Sequence, residues 1–414
     1  MENQKVMNRW LVVVGAIMIQ LALGAIYAWS VFTPSLTEAG WTKEDTQWVF
    51  AIGLASFAVF MVFSGKKLAS WGPQKLAWLG GIILGTGYLL AGFVGGTSFT
   101  SLIILLGLVG GAGIGIAYVV PIAVGMRWFP DKKGMITGLA VAGFGFGATL
   151  WVKLAGSWGH LIENLGLSTT FTVYGIAFAA MVIIGGLWMK FPPTGWKPEG
   201  YEEKQATSGS SDDREFSSRE MLGKVQFYLI FLTFVFSAGA GLMSIGLMKL
   251  YPMEALTNAG YTTAEASAIA GTAMAVFFSL ANGLGRIVWG TLSDKLGRKT
   301  SIIAMTAIQG VVVILFTYMA GSEYLLYLGA TLIGFNFGGN FALFPTITAD
   351  TFGAKNVGLN YPWIFLAYGF GGIMGPILGG KLGDMNNFPL AFTIAGIAVL
   401  CGTVLTIMVK PAKK

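Results

Sequence analysis

The chain has 414 residues, of which 55% are hydrophobic and only 11% charged. A soluble globule needs about a quarter charged residues for its shell, so a water-soluble domain is excluded, and the apolar content excludes intrinsic disorder. A single cysteine excludes a disulfide scaffold, and what remains is a polytopic membrane protein.

A helix that crosses a bilayer needs about 20 mostly apolar residues. Twelve such runs follow one another, over 10–34, 47–68, 76–95, 99–126, 134–158, 168–190, 224–250, 262–290, 299–320, 324–350, 356–382 and 387–409. Their length and their lack of period-two alternation predict helices, not barrel strands. The first run carries no small-residue cleavage site, so it is expected to be the first span and not a removed signal. Between the sixth and seventh runs lies one long hydrophilic stretch, with Glu202-Glu203-Lys204 and Asp212-Asp213. It predicts a flexible linker over 192–222, separating a six-helix bundle at 1–191 from another at 223–414.

Charge placement sets the expected orientation. With the N-terminus in the cytosol, all of the 26 Lys and Arg fall on the cytosolic side except Lys43, Lys153, Lys249, Arg286 and Lys381. The opposite face gathers acidic residues such as Glu38, Glu163, Glu254 and Asp384. Both termini are therefore expected in the cytosol. The net charge of +7 reads as a topology signal; no basic stripe or RNA-binding motif points to nucleic acid.

An ionisable residue deep in a span is costly, and it is a functional hypothesis by default. The eighth run is uncharged from Ala266 to Ser293 except at Arg286. At 1.5 Å per residue, Arg286 lies roughly 12 Å inside the cytosolic Asp294, towards the midplane. Ser279, Asn282 and Arg286, spaced i, i+3, i+7, share one helix face. No Asp or Glu lies inside any run away from its ends, where Glu265 and Asp350 sit, and a buried cation needs a partner. Two partners remain open. One is an anionic substrate that comes and goes, whose carboxylate suits the guanidinium fork. The other is a set of backbone carbonyls and water.

The remaining candidates are weaker. His160, the sole histidine, falls near the outer end of the fifth run and reads as a surface hydrogen-bonding residue, with proton sensing as the alternative. Lys153 is expected to snorkel outward from the same end. Cys401 reads as a small packing residue of the last span. Gly110-Gly111, Gly113 and Gly115, and Gly143, Gly145 and Gly147, predict close helix packing. Pro121, Pro345 and Pro362 fall in spans and predict kinks. No G-x-x-x-x-G-K-[ST] loop is present, so no nucleotide partner is expected. No nucleophile–base pair, paired Asp or His-rich cluster lies in the spans, so neither an enzyme nor a cofactor is expected.

The chain also repeats itself. Gly65-Lys-Lys-Leu-Ala69-Ser-Trp-Gly72-Pro-Gln-Lys75 follows the second run, and Gly290-Thr-Leu-Ser-Asp294-Lys-Leu-Gly297-Arg298-Lys299 follows the eighth, 225 residues on. Phe129-Pro-Asp-Lys132-Lys-Gly134 and Phe352-Gly-Ala-Lys355-Asn-Val-Gly358 form a second pair, their glycines 224 residues apart. Two pairs at nearly one period predict a duplicated six-helix unit.

The segment Gly290 to Lys299 resembles the G-x-x-x-D-[RK]-x-G-[RK]-[RK] loop of the major facilitator superfamily. The resemblance implies an all-α membrane protein of twelve transmembrane helices in two six-helix bundles. It also implies a conformational latch at Asp294, with Gly290 and Arg298. An Asp there can cap a neighbouring helix N-terminus. The first copy departs from the pattern, with Ala69 in the place of the Asp, so only Asp294 is expected to latch.

A closer resemblance runs through Gly111-Ala-Gly-Ile-Gly-Ile-Ala-Tyr118, Arg127-Trp-Phe-Pro, Asn282-Gly-Leu-Gly-Arg286 and Gly338-Gly-Asn-Phe341-Ala-Leu-Phe-Pro345. These look like the oxalate/formate antiporter group, and the Asn282/Arg286 spacing is shared with the monocarboxylate transporter family. The resemblance places Tyr27, Tyr118, Phe144, Phe337, Phe341 and Phe365 around Arg286 and Asn282, although core packing is the alternative for each ring alone. It puts Ile364 where the oxalate/formate antiporters carry a second cation, a Lys. One cation in an aromatic cage suits a small monocarboxylate. Animal-type monocarboxylate transporters carry an Asp where Asn282 stands and a Lys in helix 1, near Tyr27; both are missing.

The expected function is therefore secondary active transport of small monocarboxylates of the lactate and pyruvate class, proton-linked, by alternating access. The alternative is carboxylate/carboxylate antiport of the oxalate/formate type. The expected partners are a small monocarboxylate anion, protons and the lipid bilayer. The expected location is the cytoplasmic membrane of a prokaryote, as a multi-pass protein.

Overall fold

The computed structural model describes residues 7–94, 97–129, 133–193, 196–198, 215–353 and 356–410. Eleven helices are long and apolar enough to cross a membrane. In chain order they are α1 (Arg9–Val31), α2 (Lys43–Trp71), α3 (Pro73–Phe93), α4 (Phe99–Gly125), α5 (Gly138–Ala155), α6 (Leu161–Gly186), α7 (Val225–Leu247), α8 (Thr263–Leu296), α9 (Arg298–Met319), α11 (Leu359–Asp384) and α12 (Phe388–Met408). The remaining expected span is α10 (Glu323–Phe352), a helix of 30 residues. It is long enough to cross, but Asn336 and Asn340 at its middle dilute its apolar content. No strand occurs among the described residues. Most of the expected linker (199–214), and Lys132 and Lys355 of the repeated loops, lie outside the described residues.

The apolar run sets each helix, and local chemistry sets its ends. The α2 helix starts at a capping box, in which Thr42 accepts from the Asp45 amide and the Asp45 carboxylate accepts from the Thr42 amide. The α8 helix starts in the same way, with Thr262 and Glu265. Both α2 and α8 stop at a glycine, Gly72 (φ 80°) and Gly297 (φ 84°), in backbone that L side chains rarely adopt. These are equivalent glycines of the repeated loop. The structure adds a copy that the repeat search passes over: Ala39-Gly40-Trp41-Thr42 and Ala259-Gly260-Tyr261-Thr262, with φ of 96° at Gly40 and 100° at Gly260. The α6 boundary needs one correction. The helix begins at Leu161, seven residues before the expected 168, but Gly166 (φ 74°) interrupts it, so the continuous part starts close to the expected position.

Helices of the first half pack on one another, α3 against α6, α2 against α4 and α1 against α5. Those of the second half do the same, α7 against α11, α8 against α10 and α9 against α12. Two seams join the halves: α2 with α11, and α5 with α8. Glycines allow this approach; a Cβ at Gly283 of α8 would stand 2.2 Å from the Phe146 ring of α5. Loops after α2, α4, α8 and α10 share the face of the linker, and loops after α1, α5, α7 and α11 share the far face. Pro121, Pro345 and Pro362 sit inside their helices as expected, and Pro376 joins them. Cys401 is a correction. It is exposed, because α12 buries the face of Ala391, Ala395, Val399, Gly402 and Thr406, and Cys401 lies off it.

Candidate functional site

Three of the spanning helices depart from regular α geometry. The second part of α1, Gly24–Val31, is a 3₁₀ helix and carries Tyr27. Residues Ile103–Gly110 of α4 and Ala273–Phe278 of α8 form wide π turns, a feature often found at functional sites. Ser279 follows the π turn of α8 and donates to the Met274 carbonyl, 2.7 Å away. That occupies its hydroxyl, and only Asn282 and Arg286 of the expected polar face remain available.

Arg286 is completely buried and is the only charged side chain among the buried described residues. Its Nε donates to Asn282 Oδ1 at 3.2 Å. Its Nη1 donates to the backbone carbonyl of Val141, on α5 in the other half, at 2.9 Å. The guanidinium lies 4.0 Å from the centre of the Phe341 ring and 5.5 Å from that of Phe144, a cation–π arrangement between the halves. Part of the carbonyl-bonding alternative is therefore realised, but it does not satisfy the group. Arg286 Nη2 and Asn282 Nδ2 are both buried with no acceptor within 3.5 Å, and the Tyr27 and Tyr118 hydroxyls meet the guanidinium only more loosely. A buried unsatisfied donor costs about 1–3 kcal/mol, more when charged. Both donors belong to side chains that already bond each other one turn apart on α8, and each is of the kind that a carboxylate oxygen accepts from.

The six expected aromatics form one cluster. Tyr27 meets Phe144 and Phe337 at ring distances of 5.0 and 5.7 Å. Phe337 meets Phe341 at 5.4 Å, and Tyr118 meets Phe144 at 5.4 Å and Phe365 at 5.8 Å. Tyr27 and Tyr118 both lie within electrostatic reach of Arg286. Ile364 is fully buried and apolar. A cavity of about 70 Å³ lies against Tyr118, Phe341 and Tyr361 on the linker side of the cluster.

Sequence reasoning missed three contributors. The Val141 carbonyl has no side-chain signature at all. Phe57 of α2 touches Tyr118, Phe144, Phe365 and Tyr368, yet α2 carries no polar landmark to single it out. Tyr368 donates its hydroxyl to Tyr27 at 3.1 Å; the signal was its place seven residues after Tyr361, on the same helix face.

The loop after α8 gives a different outcome. Asp294 pairs with Arg298 at 2.6 Å, and Arg298 Nε reaches Asp350 at 3.4 Å. Asp294 does not cap α9: Gly297 precedes that helix, and no side chain accepts there. The Arg298 guanidinium draws the carboxylate back along its own turn instead. A Cβ at Gly290 would stand 3.4 Å from the Ala342 Cβ of α10, an ordinary contact. All of these contacts stay within the second half. His160 is exposed and paired with Glu163 at 2.9 Å. Lys153 does not simply reach outward; it donates to Ser157 and lines a large cavity on the far face.

A family model described as Major Facilitator Superfamily matches residues 12–277 and 250–414. The chain is 28% identical to the MFS-type transporter YhjX of Escherichia coli (strain K12), across 88% of this chain and 86% of that one. It is 27% identical to the oxalate:formate antiporter of Oxalobacter formigenes, across 98% of this chain and 94% of that one. It is 26% identical to apicoplast pyruvate carrier 1 of Toxoplasma gondii, across 78% of this chain and 66% of that one.

Proposed function

The chain belongs to the Major Facilitator Superfamily, and on that premise we propose that it carries small monocarboxylates of the lactate and pyruvate class, with the carboxylate held by Arg286. It is a multi-pass membrane transporter. The observation that supports the substrate reading is the pair of buried donors with no close acceptor, Arg286 Nη2 and Asn282 Nδ2. A carboxylate accepts from both and neutralises the one buried cation among the described residues. The aromatic walls suit a short apolar tail, and the apolar Ile364 offers no second charge for a dianion. That one relative is named a pyruvate carrier fits this choice.

In the proposed cycle the linker face is cytosolic, and the units at 1–191 and 223–414 rock about the site. Arg286 donates across to the Val141 carbonyl. A carboxylate competes for that guanidinium and so ties occupancy to the relative position of the halves. Protons drive uptake in this reading. Asp294, Gly290 and Arg298 act as the latch on the cytosolic side.

The test is counterflow of labelled lactate in proteoliposomes. Wild-type protein is expected to exchange lactate and pyruvate, and Arg286→Gln to lose both binding and exchange. Full affinity in that variant would refute the site. A second reading, carboxylate exchange, is favoured by two observations. No Asp, Glu or His is buried among the described residues, and one relative is named an oxalate:formate antiporter. Uptake driven by an imposed inward proton gradient into empty vesicles supports symport; a strict need for internal carboxylate selects exchange.

A further inference from the structure

A cavity of about 900 Å³ opens on the far face between the two halves. It is lined by Val31 beyond Tyr27 on α1, by Val152 and Lys153 on α5, by Lys249 beyond the end of α7, and by Ser267 and Thr272 on α8. These are the elements that also carry the central site. Val31, Val152 and Thr272 lie four, eight and ten residues along their helices from Tyr27, Phe144 and Asn282. The cavity is thus stacked on the Arg286 site, one to three turns towards the far face.

Two ammonium groups face this space, one from each half. Lys249 Nζ donates to the Ser267 hydroxyl at 2.8 Å and also to the Ser267 carbonyl. Lys153 Nζ donates to the Ser157 hydroxyl at 3.3 Å. Neither forms an ion pair among the described residues. The other charged groups lining the cavity are placed differently. Glu163 is held by His160 and is exposed, and Glu38 is exposed at the rim. Acidic groups therefore sit at the mouth, and the lysines lie deeper. The charge of Lys153 acts on Lys249, which stands beyond the end of α7 at Leu247; burial first, and Lys153 second, lower its pKa to about 8. Two like charges lining one cavity, close enough for one to act on the other, are destabilising without a counter-ion, and the cavity is large enough to hold one.

We propose that this cavity is a second anion site, in which a small carboxylate is held between Lys153 and Lys249 before it reaches Arg286. Its role in the transport path rests on the monocarboxylate reading above; the site itself does not. Each ammonium supplies a donor and a charge, and Ser267 and Ser157 supply neutral donors beside them. A site of this kind raises the local concentration of anion and speeds capture from the far side. It is weaker than the central site, because it is open to water and its donors are flexible.

The deciding experiment removes the central site first. Purified Arg286→Gln protein is titrated calorimetrically with formate and with lactate. Weak saturable binding is expected, reduced by added salt and lost in Arg286→Gln/Lys249→Gln. Equal titrations of those two variants would overturn the proposal. Should Arg286→Gln fail to fold, the wild-type protein supplies the second measurement. Formate is expected to slow acylation of Lys249 and Lys153 severalfold, read by mass spectrometry, while the exposed Lys295 reacts at an unchanged rate; unprotected Lys153 and Lys249 would also overturn it. In transport, Lys153→Gln/Lys249→Gln should raise KM for uptake from the far side about fivefold to tenfold and leave kcat unchanged. Failure of wild-type protein to move any monocarboxylate counts against the transport reading alone, because the titrations read the lysine site directly.

Discussion

The hydroxyls of Tyr27 and Tyr368 meet at 3.1 Å, one from each half of the chain. Both side chains are fully buried, so neither hydroxyl can exchange this contact for water, and Phe57 packs against the Tyr368 ring beside it. A buried hydrogen bond of this kind is worth about 1 kcal/mol net. Tyr27→Phe and Tyr368→Phe should each lower the melting temperature of the purified protein. The double variant should lose less than the sum of the two, with a coupling of about 0.5–1.5 kcal/mol. Additive losses would show that the hydroxyls do not hold the halves together.

A second prediction turns on what Arg286 lacks. Its Nε already bonds Asn282 Oδ1, so Asn282→Asp puts a carboxylate in the place of that amide oxygen. The introduced charge pairs with the guanidinium and competes with substrate. Lactate affinity at neutral pH is expected to fall about tenfold or more. Acidification protonates the introduced carboxylate and frees Arg286, so affinity should recover as pH falls, whereas wild-type binding changes less. A variant whose affinity is low at every pH would mean that Asn282 acts through shape and not through charge.

Much of this architecture was legible in the chain because hydrophobic run length and scarce charge are one-dimensional signals. Arg286 stood out for that reason, and the aromatic residues grouped around it through their resemblance to known transporters. The Val141 carbonyl left no trace, because every residue has one, and only the fold selects this one. Phe57 was hidden among many apolar residues of α2. Asp294 is legible as the acid of the loop, but its pairing with Arg298 across the break at Gly297 is set by the turn geometry and not by spacing alone. The pairing of Lys153 with Lys249 required the two halves to be set side by side, which no local pattern contains.

The far face carries a clasp with its own prediction. The Asp384 carboxylate, at the end of α11, accepts from the backbone amides of Lys43 at 2.9 Å and Glu44 at 3.0 Å. These are first-turn donors of α2, which otherwise lack partners, and a carboxylate there also meets the positive end of the helix dipole. Lys43 Nζ adds a salt bridge to Glu254 at 3.0 Å. An end cap of this kind contributes about 0.5–2 kcal/mol. Asp384→Ala should therefore speed amide exchange in the peptide holding Lys43 and Glu44 by about tenfold, while the capping box at Thr262 stays protected. Equal exchange in both proteins would show that the clasp does not close this face.

Lys249 gives the last prediction, in the pH dependence of capture from the far side. Burial first, and then the nearby charge of Lys153, bring its pKa down to about 8. Glu38, His160 and Glu163 are the other titratable groups lining that cavity. The sign follows from the charged form. Below about pH 8 the ammonium persists and attracts the carboxylate; as pH rises through that value the charge is lost, and with it the attraction. KM for uptake should therefore climb on the alkaline side, and the climb should vanish in Lys249→Gln. Lys153→Gln separates the two causes. It removes a positive neighbour, which makes the Lys249 ammonium easier to keep, so the alkaline limb should move to higher pH. A limb that stays in place in Lys153→Gln would mean that burial alone sets the titration and that the two lysines do not act on one anion.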